Sequence, residues 1–261
     1  MEFRDFKYAI FLSILILFIS CSQETMLFYP EKLPSDFKFI FKSEFKEYFI
    51  KVDKKTELNG ILFKAEKSKG LIFYLHGNAG SINSWGFVAD FYLHRNYDLF
   101  MIDYRGYGKS QGKISNEKQI YRDMQIVYDT MKHLYDEDKI VILGYSIGTG
   151  IATQLASVNN PRLLILNAPY FNMIDLAHHY VRILPSFFIR YKFKTNEFLQ
   201  RVKAQVIIFH GDVDEIIYTG SSIKLSKLFK ATDKLYILKG QKHNGIDENP
   251  TYRLILKDYL N

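Results

Sequence analysis

The feature that most constrains this chain is a turn between two kinds of local structure. An apolar, β-branched run, Ile140-Val141-Ile142-Leu143, enters Gly144-Tyr145-Ser146-Ile147-Gly148. A small-residue stretch with helical character, Thr149-Gly150-Ile151-Ala152-Thr153-Gln154-Leu155-Ala156, follows. A strand, a G-x-S-x-G turn and a helix form the setting of a nucleophile elbow. The turn is tight enough to strain its central residue, and glycines on either side avoid clashes. The serine hydroxyl then stands off the end of the sheet, at a helix N-terminus that favours developing negative charge.

The rest of the chain repeats the pattern of buried strand, polar turn and helix. Leu71-Ile72-Phe73-Tyr74-Leu75 runs into His76-Gly77-Asn78-Ala79-Gly80. Asp98-Leu99-Phe100-Met101-Ile102 runs into Asp103-Tyr104-Arg105-Gly106-Tyr107-Gly108-Lys109-Ser110. Val206-Ile207-Ile208-Phe209 ends in His210-Gly211-Asp212-Val213-Asp214, and Lys234-Leu235-Tyr236-Ile237-Leu238 ends just before Gly240-Gln241-Lys242-His243. Helices are expected over about 84–94, from an Asn116 cap to about Leu134, and over about 221–229. Residues 48–52 and 60–63 read as an opening antiparallel pair. Such alternation implies a mainly parallel sheet with helices on both faces. Parallel strands bring their C-terminal ends to one edge, so Ser146, Asp214 and His243 are expected together there.

These ordered motifs, spread over about residues 45–260, resemble the serine α/β-hydrolases of the esterase and lipase kind. The style is similar to the membrane-associated branch with depalmitoylase-like enzymes. The resemblance implies an α/β-hydrolase fold and an acyl-serine mechanism. Ser146 is then the nucleophile, His243 the general base and Asp214 the residue that orients the imidazole. Asp212 is the nearest rival of Asp214, and Asp175 a more distant one. The oxyanion hole would use the backbone N–H groups of Ile147 and Asn78. His76 and His210 read as structural, and Asp103 and Arg105 as shaping a strand-end turn. Many relatives carry proline a few residues past the acid, where this chain has Tyr218. Gly108-Lys109-Ser110 is no phosphate-binding loop, because Asp103 stands where that loop needs its first glycine. No pattern calls for a metal or an organic cofactor, and adjacent His178 and His179 would point apart on a helix.

At 261 residues and 48% hydrophobic content, one domain with a full core is expected. The net charge of +7 comes from scattered lysines, and no basic run interleaved with aromatics suggests a nucleic-acid groove. Residues 169–201 interrupt the alternation and hold Tyr170, Phe171, Tyr180, Phe187, Phe188, Tyr191 and Phe193. They read as a small helical cap that could shelter an acyl chain, or as extra packing on the core.

The first 21 residues differ in kind. Arg4 and Lys7 precede an apolar stretch, residues 8–19, which ends in Ser20-Cys21. Twelve helical residues span about 18 Å, short of the roughly 30 Å hydrocarbon core, so a secretory signal fits better than a spanning helix. Cys21 is the only cysteine in the chain. A small residue before a lone cysteine resembles a bacterial lipoprotein signal, with Cys21 acylated and the protein exported and membrane-anchored. An uncleaved signal anchor is the alternative. Residues 22–44 read as a tether that then packs on the hydrolase domain of residues 45–261. The expected substrates are acyl esters or lipids, with acyl thioesters next. A lipid-anchored binding protein without catalysis is the reading of a different class.

Overall fold

A computed structural model of the chain describes residues 23–260. Cys21 and the residues read from the sequence as a signal lie outside the described residues. The main strands are β2 (Phe45–Lys51), β3 (Glu57–Phe63), β4 (Leu71–Leu75), β6 (Asp98–Ile102), β7 (Ile140–Tyr145), β8 (Leu163–Asn167), β9 (Gln205–Gly211) and β10 (Lys234–Leu238). They form one eight-stranded sheet in the order β10-β9-β8-β7-β4-β6-β3-β2. Pairings from β10 through to β6 are parallel, and β3 runs antiparallel to both its neighbours. The strands β4, β6, β7 and β8 are buried at every position. Apart from Asp98 and Asn167 at strand ends and the hydroxyls of Tyr74 and Tyr145, their side chains are apolar, as suits a sheet covered on both faces.

Alternation along each strand divides the core into two layers. Leu71, Phe73, Ile140 and Ile142 face one side, where they join Ile120, Met124, Ile151 and Leu155. Ile72, Tyr74, Val141 and Leu143 face the other, with Tyr92, Tyr252 and Leu256. The opening antiparallel pair is longer than its apolar pattern predicts, because β2 is a half-exposed edge whose outward residues need not be apolar.

Nine helices complete the described residues: α1 (Gln23–Leu27), α2 (Ile82–Trp85), α3 (Ala89–Leu93), α4 (Glu117–Lys132), α5 (Ile147–Ser157), α6 (Met173–Tyr180), α7 (Thr195–Leu199), α8 (Gly220–Ser226) and α9 (Pro250–Tyr259). The single helix expected over 84–94 is instead α2 and α3, joined by a 3-10 turn at Gly86–Val88. Glycine is a weak helix former, and it starts that tighter turn. Helix α4 is capped by Asn116, whose side chain accepts a 2.9 Å bond from the Gln119 N–H. Among the described residues no helix is long and apolar enough to cross a membrane.

Two segments outside the sheet approach its C-terminal edge. The insertion carries α6, a 3-10 turn at Ser186–Phe188, and α7. Its aromatics divide between the two roles expected for them. Tyr170, Tyr191 and Phe193 are core residues, whereas Tyr180 and Phe187 are exposed. Within the stretch read as a tether, α1 docks on the insertion. Gln23 donates to the Phe188 carbonyl and accepts from the Arg190 N–H, and Phe28 packs edge-on against Tyr191. Next, β1 (Tyr29–Pro30) pairs in parallel with β5 (Ala79–Gly80) of the loop after β4.

Candidate active site

Ser146 sits between β7 and α5 with φ 52° and ψ −119°. A non-glycine residue at this φ and ψ is strained, and strain of this kind concentrates at functional sites. Close packing holds the turn in place. A Cβ on Gly148 would lie 2.2 Å from the Leu75 carbonyl oxygen and 2.7 Å from that of His76. Only glycine lets α5 start this near to the end of β4. The Ser146 N–H is satisfied by the Asn167 carbonyl at 2.9 Å, which ties the turn to the neighbouring strand.

The Ser146 hydroxyl lies 2.9 Å from Nε2 of His243. Nδ1 of the same ring lies 2.8 Å from Oδ2 of Asp214. A carboxylate only accepts, so Nδ1 carries the proton and Nε2 is left to accept from the serine. Asp214 is itself held by its own turn, since Oδ1 accepts from the N–H groups of Ile216 and Ile217 at 2.9 and 2.8 Å. Burial alone would raise its pKa. Hydrogen bonds from His210 and then His243 outweigh that and hold Asp214 well below the usual carboxylate range. The acid therefore stays ionised, as an orienting partner for an imidazolium must.

The rival acids are used elsewhere. Asp212 accepts from the Gly240 N–H at 2.6 Å and so closes the β9–β10 edge. Asp175 on α6 bonds Tyr218 and Lys224. His210, read from the sequence as structural, lies 3.2 Å from Asp214 Oδ2, and its ring bonds Ser222 and the Ile217 carbonyl.

Ile147 opens α5, and the first N–H groups of a helix have no partner inside it. The loop after β4 comes alongside. A Cβ built on Gly77 would lie 3.7 Å from the Ser146 Cβ and 2.7 Å from the Trp85 ring. Asn78 follows, its side-chain oxygen accepting from the Tyr29 N–H and the Tyr107 hydroxyl, each at 3.2 Å. Trp85 packs against Tyr145 and donates to the Ala79 carbonyl at 2.8 Å, pinning the loop from outside. Below it, buried His76 and Asp103 pair at 3.4 Å, and burial raises the Asp103 carboxyl. Arg105 turns away from the site to join Asp123 and Asp53. Lys109 pairs with Glu47, and Ser110 bonds the Asp103 carbonyl, so this segment is a strand-end turn.

Sequence reasoning did not find Tyr145. It occupies a variable position of the pentapeptide, and its hydroxyl reaches the backbone carbonyl of His243 at 2.6 Å. Nor did it find Asp247, which is buried and accepts from the hydroxyls of Tyr74 and Tyr92 at 2.9 and 3.0 Å. Both partners come from distant parts of the chain, so no local pattern marks them.

The fold, with a strained serine on the strand-to-helix turn, defines a serine α/β-hydrolase. The chain belongs to the Hydrolase_4 family (serine aminopeptidase, S33), matching it over residues 66–206. It is similar to the α/β-hydrolase domain-containing protein aho-3 of Caenorhabditis elegans, with 27% identity over 72% of this chain and 57% of the relative. It is likewise similar to the α/β-hydrolase domain-containing protein 17C of Mus musculus, with 28% identity over 75% and 61%. The lysophosphatidylserine lipase ABHD12 of Xenopus tropicalis is 28% identical over 73% and 57%. The chain thus spans less than two thirds of the length of these relatives. Among solved structures, an esterase of Pyrococcus furiosus superposes with a TM-score of 0.71 at 18% identity, covering 90% of this chain and 97% of the esterase.

Proposed function

We propose that this chain is a serine hydrolase of carboxylic esters, acting on fatty-acyl esters at a membrane surface through an acyl-serine intermediate. The observation that carries the reading is the continuous relay from Ser146 through His243 to Asp214, with Ser146 in its strained turn. In the first half-reaction Ser146 Oγ attacks the ester carbonyl while His243 Nε2 takes its proton. The carbonyl electrons move onto oxygen, where the N–H groups of Ile147 and Asn78 would stabilise them. The C–O bond breaks, and His243 returns the proton to the departing alcohol. Water then repeats the sequence, releasing the carboxylic acid and restoring Ser146.

The lipase and esterase relatives support ester or lipid substrates. The signal-like N-terminus ending in Cys21 supports work at a membrane. The test is hydrolysis of a chain-length series of acyl esters and matched thioesters by detergent-solubilised full chain, together with labelling by a fluorophosphonate. Ester turnover rising with acyl length, and labelling lost in Ser146→Ala, is the expected result. Faster thioester cleavage would move the assignment to a deacylase. Cleavage of N-terminal peptide bonds in preference to both would move it to the peptidase that the family description names. Folded protein that neither turns over substrate nor labels would mean a binding role only.

A further inference from the structure

Tyr218 joins the insertion to the turn that holds Asp214. Helix α6 has no fully buried residue, so its own apolar packing holds it weakly. Besides the partial packing of Met173 and Leu176 on the core, it is held by a cluster around Tyr218. The His179 ring stacks on the Tyr218 ring, with centroids 3.9 Å apart and planes 7° from parallel. The Tyr218 hydroxyl donates to Asp175 Oδ2 at 2.5 Å, and Lys224 on α8 bonds Asp175 Oδ1 at 2.5 Å and the Tyr218 oxygen at 2.7 Å. At the end of α6, next to His179, the Tyr180 hydroxyl donates to the carbonyls of Glu215 and Ile216 at 3.0 and 2.9 Å.

Every one of these contacts ends on the segment 214–218 or on α8 just after it. That segment carries the catalytic-acid candidate, and the Ile216 and Ile217 N–H groups bond Asp214 directly. Its opposite side is held by the His210 ring on the Ile217 carbonyl at 2.7 Å. The insertion and the acid turn are therefore one mechanical unit. A proline at 218 would supply neither the ring that His179 covers nor the hydroxyl that Asp175 accepts.

We propose that Tyr218 is a specificity-determining positioning residue, which latches α6 against the acid turn and so sets the acyl chains that Ser146 can accept. The proposal rests on the ester-hydrolase reading for its kinetic consequence, but the latch itself is a structural claim. Two measurements separate them. With full chain in detergent, Tyr218→Phe keeps the stack and removes the hydroxyl, while Tyr218→Pro removes both. The ratio of kcat/KM for a dodecanoyl ester to that for an acetyl ester should fall on the order of tenfold in Tyr218→Phe and further in Tyr218→Pro, through KM for the long ester. Asp175→Ala, which removes the acceptor and with it the Lys224 ion pair, should lower the ratio at least as far as Tyr218→Phe. The double variant should lose less than the sum of the two, because both break the Tyr218–Asp175 bond. Equal losses on long and short esters, or strictly additive losses, would overturn the proposal.

The second measurement needs no turnover. Limited trypsin digestion should cut at the exposed Arg182 faster in Tyr218→Phe, and faster again in Tyr218→Pro, at unchanged global stability. An unchanged cutting rate would refute the latch. Accelerated cutting in a protein that hydrolyses no ester would uphold the latch and refute the ester-hydrolase reading alone.

Discussion

The Tyr145 hydroxyl donates a 2.6 Å hydrogen bond to the backbone carbonyl of His243, so the residue before the nucleophile holds the residue that activates it. The same hydroxyl accepts from the Ile246 N–H at 3.4 Å, and the Tyr145 ring is packed against Trp85. Tyr145→Phe preserves the packing and strands a buried carbonyl. It should cost about 1–3 kcal/mol in denaturant unfolding. Ester turnover should fall about 10- to 100-fold, since small errors of alignment are expensive in a preorganised site. Wild-type turnover in this variant would show that the His243 loop needs no support from β7.

Loss of the nucleophile or of its base should be far more severe. Ser146→Ala or His243→Ala is expected to lower kcat on the order of 10⁶-fold, and the double variant should lose little more, because the residues act as a unit. Asp214→Asn should cost about 10⁴-fold, by favouring the wrong tautomer of His243. Steady-state ester kinetics and fluorophosphonate labelling read all of these. Substantial ester hydrolysis by Ser146→Ala would exclude Ser146 as the nucleophile.

Asp247 gives the protein a distinctive dependence of stability on pH. Burial raises its carboxyl from 3.8 to about 6, against the lowering effect of hydrogen bonds from Tyr74 and Tyr92. The folded state thus binds this proton more tightly than the unfolded one. Stability from this group is greatest below about pH 4, declines as pH rises, and is lost above about pH 6, by about 3 kcal/mol in total. Asp247→Asn should lack that decline, so the unfolding free energy of wild type minus variant should drop across the window. Parallel curves for the two proteins from pH 4 to 7 would contradict the shift.

Arg105 is bound to Asp123 through Nε and Nη2, at 2.5 and 2.9 Å, to Asp53 at 2.7 Å and to Thr56 at 3.0 Å. Asp123 is buried on α4, so Arg105→Ala would leave its carboxylate with only the exposed Arg122, at 3.4 Å, as a charged partner. A loss of about 3–5 kcal/mol is expected in chemical denaturation. Arg105→Ala with Asp123→Leu should recover part of it, whereas a negligible loss in the single variant would mean that water reaches Asp123.

Replacing Cys21 with serine should release the protein from membranes in fractionation while leaving ester turnover in detergent intact. Unchanged membrane retention would rule out an acyl anchor at this position.

The strand-end motifs were legible because each is a local pattern with a local cause. An unbroken apolar run implies a buried parallel strand, and a glycine-bounded polar segment after it implies a turn at the sheet edge. Ser146, Asp214 and His243 could be proposed as neighbours from that logic alone. The break between α2 and α3 was less legible, because one glycine in an otherwise periodic stretch only weakens a helix. The aromatic insertion was ambiguous for a similar reason. Tyr191 and Phe193 look no different in sequence from Phe187, yet they pack in the core beside Phe28 while Phe187 is exposed.

The sequence by itself determined the order of strands and helices, the family pattern and the residues able to carry the chemistry, since periodicity and turn chemistry act over a few residues. Tertiary structure set Asp214, already preferred to Asp212 in the sequence, against His243. It alone decided that Tyr145 braces the His243 loop, that Asp247 is buried beneath it, and that Tyr218 ties α6 to the acid turn. Each of these depends on side chains from separate strands meeting at one edge of the sheet, and such meetings are fixed by packing and register rather than by spacing along the chain.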